Sequence, residues 1–170
     1  MTDQPAGPRP LGSAAERVRA ALADRQIDAE ILEFPESTHT AAEAARAVGA
    51  TVAQIVKSLV FIADGRPVLV LAAGANRVDL RKLARLAGAS RVEKATAEVT
   101  RAATGFSIGG VPPVGHATPL PVFLDETLLH HEVVYAAAGT PHAVFAVAPQ
   151  ALARATQGVV GDLAEALERR

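Results

Sequence analysis

The chain has 170 residues, a hydrophobic fraction of 49% and a formal net charge of −1. That length and apolar content allow one domain with a real core and exclude a chain disordered throughout. Near-neutrality excludes a protein that holds nucleic acid by bulk charge alone. The absence of cysteine removes a disulfide framework, a thiolate zinc site and a cysteine nucleophile together, and fits a cytoplasmic protein. No apolar run reaches the roughly 18 residues of a membrane span, so no membrane partner is expected.

Met1 to Gly12 carries Pro5, Pro8 and Pro10 with two glycines, the composition of a flexible tail, and leaves 13–170 as a single domain. Ser13-Ala-Ala-Glu16 has the form of a capping box, and Val18, Ala21 and Leu22 follow at helical spacing, predicting a helix over 14–25. Residues 29–34 read as a short strand stopped by Pro35. Thr40-Ala-Ala-Glu43 is a second capping box, opening a helix that ends at Gly49. The β-branched run 54–62 predicts a buried strand, Asp64-Gly65 a tight turn and 67–73 the returning arm of a hairpin.

A helix over 80–87 follows, with Asp79 as cap and Gly88 as stop. Residues 90–93 then read as a strand, and 96–104 as a helix ended by Gly105. After a glycine- and proline-rich loop come a strand at 122–124, a short helical turn near Glu126, strands at 132–137 and 143–147, and a helix opening on Pro149. Strands in hairpins alternate with strands separated by helices. The fold class is therefore α+β with a mixed sheet.

Charge is uneven along the chain. Residues 74–104 hold seven bases against three acids and so are net +4, leaving −5 elsewhere. Such a patch suits a brief visit to a polyanion, and it equally describes the wet faces of two helices.

Lys57 is the first candidate for chemistry. In a strand it shares a face with Ile55, Leu59 and Phe61, while Val56, Ser58 and Val60 line the other. An ammonium on an apolar face is costly unless it is paired or stretches to water. The chain uses three lysines against fourteen arginines, so lysine here reads as a chemical choice.

The loop Gly109-Gly110-Val111-Pro112-Pro113-Val114-Gly115-His116 is the second candidate. Its glycines let backbone N–H groups approach a ligand and its prolines stiffen one shape, although glycine and proline also simply punctuate chains. Thr38-His39-Thr40 sits at a helix start, where hydroxyl caps are expected anyway. Asp125 ends an apolar strand and can orient a neighbour by hydrogen bonds. His130 and His131 would face opposite ways in a strand. The five histidines show no metal-ligand spacing, and neither metal nor cofactor is expected. A Schiff base on Lys57 lacks the cofactor site that normally accompanies it.

Residues 54–61 (Gln-Ile-Val-Lys-Ser-Leu-Val-Phe), Thr104-Gly-Phe-Ser-Ile-Gly109 and the 109–116 loop together resemble the YbaK and prolyl-tRNA synthetase-associated editing domains, which include the free-standing ProX-type proteins. The likeness spans about 14–163. It implies a mixed, barrel-like sheet with flanking helices, and a cleft for the 3′-terminal adenosine and acceptor stem of an aminoacyl-tRNA. An aminoacyl-tRNA synthetase is a further partner it admits.

The resemblance implies that Lys57 is the functional hallmark, with Ser58 beside it, and that the loop matching Gly109 to Pro113 cradles the terminal nucleotide. Asp125 matches a recurrent aspartate, and Gly139 a recurrent glycine in the next hairpin. Thr38-His39-Thr40 is similar to one branch of the family more than to YbaK itself. The implied activity is hydrolysis of a mischarged tRNA ester, with proline tRNA carrying alanine, cysteine or another small residue as substrate. A non-catalytic module gripping tRNA ends through the same cleft is the alternative.

Overall fold

The computed structural model describes residues 12–166; the tail expected at the N-terminus lies, apart from Gly12, outside the described residues. Five α-helices and eight strands follow in the order α1 (Ser13–Asp24), β1 (Ile31–Glu33), α2 (Ala41–Val48), β2 (Ile55–Ala63), β3 (Arg66–Ala73), α3 (Leu80–Ala87), β4 (Val92–Lys94), α4 (Ala97–Thr104), β5 (Val122–Asp125), β6 (Val134–Ala137), β7 (Ala143–Val147), α5 (Pro149–Thr156) and β8 (Val159–Gly161). The strands form one mixed sheet in the order β1-β7-β6-β2-β3-β5-β8, with β4 on β2 as well.

Most boundaries fall where local chemistry puts them. Thr40 Oγ1 accepts from Glu43 N–H, Asp79 from the N–H groups of Arg81 and Lys82, and Thr96 from Val99 N–H. Gly49, Gly88 and Gly105 close α2, α3 and α4 in the left-handed conformation that glycine adopts without a Cβ penalty. The β2–β3 hairpin turns at Asp64 and Gly65, both with positive φ, as a two-residue turn of this twist requires. Asp64 does more than turn. Its carboxylate accepts from the N–H groups of Ser90 and Arg91, which ties the hairpin tip to β4 and holds its pKa below the usual aspartate value.

Three sequence expectations are corrected. The capping box at Ser13 does not form: Gly12 occupies the cap position, Ser13 is already helical, and Glu16 pairs with Arg19 one turn on. Residues 52–54 make a turn of 3-10 helix, where Gln54 Oε1 accepts from Thr51 N–H. The strand expected from Glu132 begins at Val134, and before it His130 closes the 3-10 turn Glu126–His130 and His131 caps it. Strand β8 is an addition without a sequence signal. It is three residues long, follows a helix directly, and takes its register from parallel pairing to β5.

Both faces of the sheet are covered. On one face Val18 and Leu22 of α1, Leu152 of α5 and Phe106, Val111 and Val114 of the loop pack against Val56, Val60, Leu69, Leu71 and Phe145. The other face carries two separate patches. Leu83 of α3 packs with Phe61, Val70 and Phe123, and Ala44 and Ala45 of α2 pack with Ile55 and Val144. Leu71 is fully buried in the central hairpin arm. Truncating it, Leu71→Ala, removes buried methyl groups and leaves a void, costing about 2–5 kcal/mol. Val159→Ala, at a position 47% exposed, changes stability by less than about 0.5 kcal/mol. Urea midpoints of the two variants check the contrast.

Candidate active site

A cavity of ≈ 360 Å³ lies along β2. Its floor is β2 from Ile55 to Val60; its walls come from Thr38 to Ala44, from Ile108, Gly109 and Val111, and from Tyr135, Ala136 and Ala137. Lys94, Ala95, Thr100 and Val144 complete it.

Strand alternation places Lys57 on the outer face between Ile55, under α2, and Phe61, under α3. Leu59 packs with the α3 patch as well, and the half-buried Lys57 lines the cavity. Its Nζ donates to the carbonyl of Asn76 at 2.6 Å. Asn76 is itself held: its Nδ2 donates to Asp125 Oδ2 at 3.0 Å and to Thr127 Oγ1 at 2.9 Å. Asp125 is 1% exposed and takes four bonds, adding Ala73 N–H at 3.1 Å and both N–H and Oγ1 of Thr127 at 3.0 and 2.8 Å. A buried carboxylate so fully bonded is a rigid post, and Lys57 reaches it through one intermediary.

Burial first of all lowers the Lys57 pKa below the ordinary lysine value; Asp125 opposes this, while Arg77 and Lys94 push it further down. Lys57 thus has two further cations within influence, of which Arg77 lies 4.0 Å from Glu165, and one buried carboxylate beneath it. An anionic or polarised ligand is the group such a site favours.

Two hydroxyl oxygens at the cavity, Thr38 Oγ1 and Ser58 Oγ, are buried without a hydrogen-bond partner. Buried polar atoms are normally satisfied, so both are available to a bound molecule. His39 lies against Gly109, whose φ is +89°, and a Cβ on that glycine would overlap the imidazole. Close approach explains the glycine here.

The sequence candidates divide by position. Thr38, His39, Lys57, Ser58, Gly109 and Val111 line the cavity, whereas Gly110, Pro112, Pro113, Gly115, His116, Asp125 and Gly139 do not. The second group braces the walls. Pro112 and Pro113 are buried behind the rim, and His116 Nε2 lies 2.7 Å from the Pro112 carbonyl, closing the loop on itself. Burial is the main reason its pKa falls below the usual histidine value; the Pro112 carbonyl opposes this and Arg25 adds to it.

Gly115 packs on α1, Gly110 touches the Thr140 backbone, and Gly139, at φ +96°, sits against Ala14 and Phe106. The same turn receives the other wall, since Thr38 N–H donates to the Pro141 carbonyl at 2.6 Å. One hairpin turn therefore registers both walls. Asn76, Thr127, Tyr135, Ile108 and Lys94 escaped sequence reasoning. Asn76 meets Lys57 through its main-chain carbonyl, and its side-chain partners Asp125 and Thr127 lie some fifty positions away, so no local pattern marks it; Lys94 was legible only as part of the basic segment. Among the described residues no group of three or more His, Cys, Asp or Glu side chains is placed to hold a metal ion, and no helix is long and apolar enough to cross a membrane.

The Asp125 post yields a direct test. Asp125→Asn turns one of its acceptor oxygens into a donor facing N–H groups, and lowers stability by about 1–3 kcal/mol. It also removes the negative charge that raises the Lys57 pKa, so that pKa falls further below the ordinary lysine value. Chemical denaturation and an NMR titration of the Lys57 side chain measure the two effects separately.

Residues 35–155 match the family described as the Aminoacyl-tRNA editing domain. A crystal structure of a proposed trans-editing enzyme for prolyl tRNA synthetase superposes with a TM-score of 0.87 at 51% identity, covering 92% of this chain and 100% of that one. EbsC of Enterococcus faecalis, whose name proposes a Cys-tRNA(Pro)/Cys-tRNA(Cys) deacylase, is 29% identical over 74% of this chain and 77% of its own. The proline–tRNA ligase of Nitratidesulfovibrio vulgaris strain DP4 is 37% identical over 61% of this chain, which is 18% of the ligase. With a family match across more than half its length and a cavity built around a lysine, the chain belongs to the aminoacyl-tRNA editing domains, enzymes that hydrolyse the ester of a wrongly charged tRNA.

Proposed function

We propose that this protein edits in trans, removing a small amino acid such as alanine or cysteine from mischarged proline tRNA. The observation that carries the reading is Lys57, an ammonium held by the Asn76 carbonyl at the floor of a cavity walled by the 109–111 loop. An aminoacyl ester is already activated, so hydrolysis asks for placement, a water and charge stabilisation more than for a protein nucleophile. Lys57 supplies the charge, holding the terminal phosphate or the ester carbonyl, while the loop amides fix the ribose.

Arg77 and Lys94 stand close enough to influence the Lys57 charge, and both belong to the net +4 segment. They extend the positive field outward, toward the acceptor-stem phosphates. The cavity walls at Ala41, Ala44, Ile55 and Val144 are apolar. They support a sieve by size, because binding energy alone separates small apolar side chains poorly.

Purified protein mixed with a panel of mischarged tRNAs is expected to accelerate ester loss on at least one proline tRNA carrying a small residue. Lys57→Ala is expected to lose about 100-fold or more of that rate. Full activity in Lys57→Ala, or salt-sensitive tRNA binding with no turnover on any ester, overturns the reading.

The pH profile has a defined sign. The ammonium form is present below the folded-state pKa of Lys57 and is lost as pH rises through it. That pKa lies below the ordinary lysine value. Corrected for spontaneous hydrolysis, the rate is therefore expected to fall on the alkaline side before an ordinary lysine would titrate, and earlier still in Asp125→Asn.

A further inference from the structure

Strand β2 loses its neighbour for a short stretch. Along the edge turned away from β3, β6 pairs with Ile55 and Val56, and β4 pairs with Phe61, Ile62 and Ala63. Residues 57–60 have no strand beside them on that side. In an antiparallel ladder, successive residues send their N–H and C=O groups to opposite edges. Two bonds set the phase here: Gly74 N–H donates to Ile55 O at 2.7 Å on the β3 side, and Ala95 N–H donates to Val60 O at 3.1 Å on the other. Odd-numbered residues therefore bond β3 and even-numbered residues face the other edge, where Val60 O is already taken by Ala95 N–H and Ser58 is the even-numbered residue left between β6 and β4.

Ser58 stands in the middle of that gap. Its N–H and C=O point between the end of β6, at Ala137, and the end of β4, at Lys94, and both ends line the cavity, as does Ser58 itself. Its Oγ is buried without a partner. Backbone groups inside a sheet are almost always paired, so a donor and an acceptor left side by side here are a recognition element.

An aminoacyl ester carries the complementary pair. Its α-ammonium is a donor, its carbonyl oxygen an acceptor, and one carbon separates the two groups that bear them, as in a single residue of a β-strand. We propose that the aminoacyl moiety pairs with the main chain of Ser58 as a one-residue strand set between β6 and β4. The α-ammonium donates to Ser58 O, and Ser58 N–H donates to the ester carbonyl oxygen.

This rests on the deacylase reading and gives the Ser58 amide a catalytic part in it. The oxygen of a water bonds to the carbonyl carbon, and the C=O electron pair moves onto the carbonyl oxygen, where Ser58 N–H stabilises the developing charge. Collapse re-forms the C=O and breaks the bond from the carbonyl carbon to the ribose oxygen. The water's proton ends on that oxygen, leaving free amino acid and the tRNA hydroxyl end. The amides of Lys57 and Leu59 are committed to β3, so Ser58 alone of the three is placed for this task.

The test replaces Ser58, in the full chain, with its α-hydroxy analogue, converting one amide to an ester and deleting that N–H. On a mischarged tRNA cleaved by the parent, kcat is expected to fall about 100-fold with KM nearly unchanged. A propionyl ester on the same tRNA, which lacks the amine, is expected to be a much poorer substrate than the alanyl ester once each is corrected for spontaneous hydrolysis. Independently of turnover, 3′-alanylamido-3′-deoxyadenosine is expected to shift the Ser58 amide resonance of the parent and slow its hydrogen exchange, with Lys57 and Leu59 amides far less affected.

An ester variant that hydrolyses within threefold of the parent, or a Ser58 amide that ignores the analogue while neighbouring cavity signals move, overturns the proposal. Should the ester variant fail to fold, the amide response in the parent decides. A parent inactive on every mischarged tRNA whose Ser58 amide still responds defeats the deacylase reading and leaves the pairing standing.

Discussion

The break in pairing along β2 is the constraint around which this molecule is arranged. A strand paired on both edges offers a ligand only side chains; one left open over a few residues offers its backbone as well. Here β6 arrives parallel from one end and β4 antiparallel from the other, and they stop short of each other. The interval, residues 57–60, holds the lysine and the unpartnered serine. On the outer face Ile55 packs with the α2 patch and Leu59 and Phe61 with the α3 patch, which leaves Lys57 between them. An opening in a sheet would ordinarily be a weakness. In this fold it coincides with Lys57 and Ser58, both lining the cavity.

The electrostatic design follows from that opening. Burying an ammonium fully would cost far more than any single bond returns, and exposing it fully would leave it too hydrated to act on a ligand. Lys57 is held between these limits by one carbonyl, that of Asn76. The carbonyl's position is set by an asparagine side chain bonded to Asp125 and Thr127. Asp125 influences the site without lining it. It is buried, its four bonds are satisfied, and it acts on the lysine through space and through Asn76. Arg77 and Lys94 oppose its influence, leaving a local excess of positive charge on a chain whose net charge is −1.

The cavity walls depend on a residue group remote from both in sequence. The turn between β6 and β7 receives Thr38 through the Pro141 carbonyl and Gly110 through the Thr140 backbone. Gly139 is required there by its positive φ and by the nearness of Ala14 and Phe106. Moving that turn would move both walls together. This gives Gly139 a structural reason, distinct from contact with a ligand.

The amino-acid sequence by itself determined most of the elements and put Lys57 in a strand on an apolar face. Helix caps at Thr40, Asp79 and Thr96, stops at Gly49, Gly88 and Gly105, and the Asp64-Gly65 turn are local contacts between residues a few positions apart, so local reasoning reaches them. The same logic misplaced the cap at Ser13, where the chain's entry made Gly12 the cap and turned Glu16 toward Arg19, and it passed over β8, whose pairing partner lies some 35 positions away. Tertiary structure alone decided which candidates face the cavity and which brace it. His116 and the proline pair turned inward, Asp125 withdrew beneath Asn76, and the edge of β2 was left open at Ser58. Those outcomes depend on which strands stop beside which, and on main-chain groups that every residue carries alike, so no pattern of residue types could announce them.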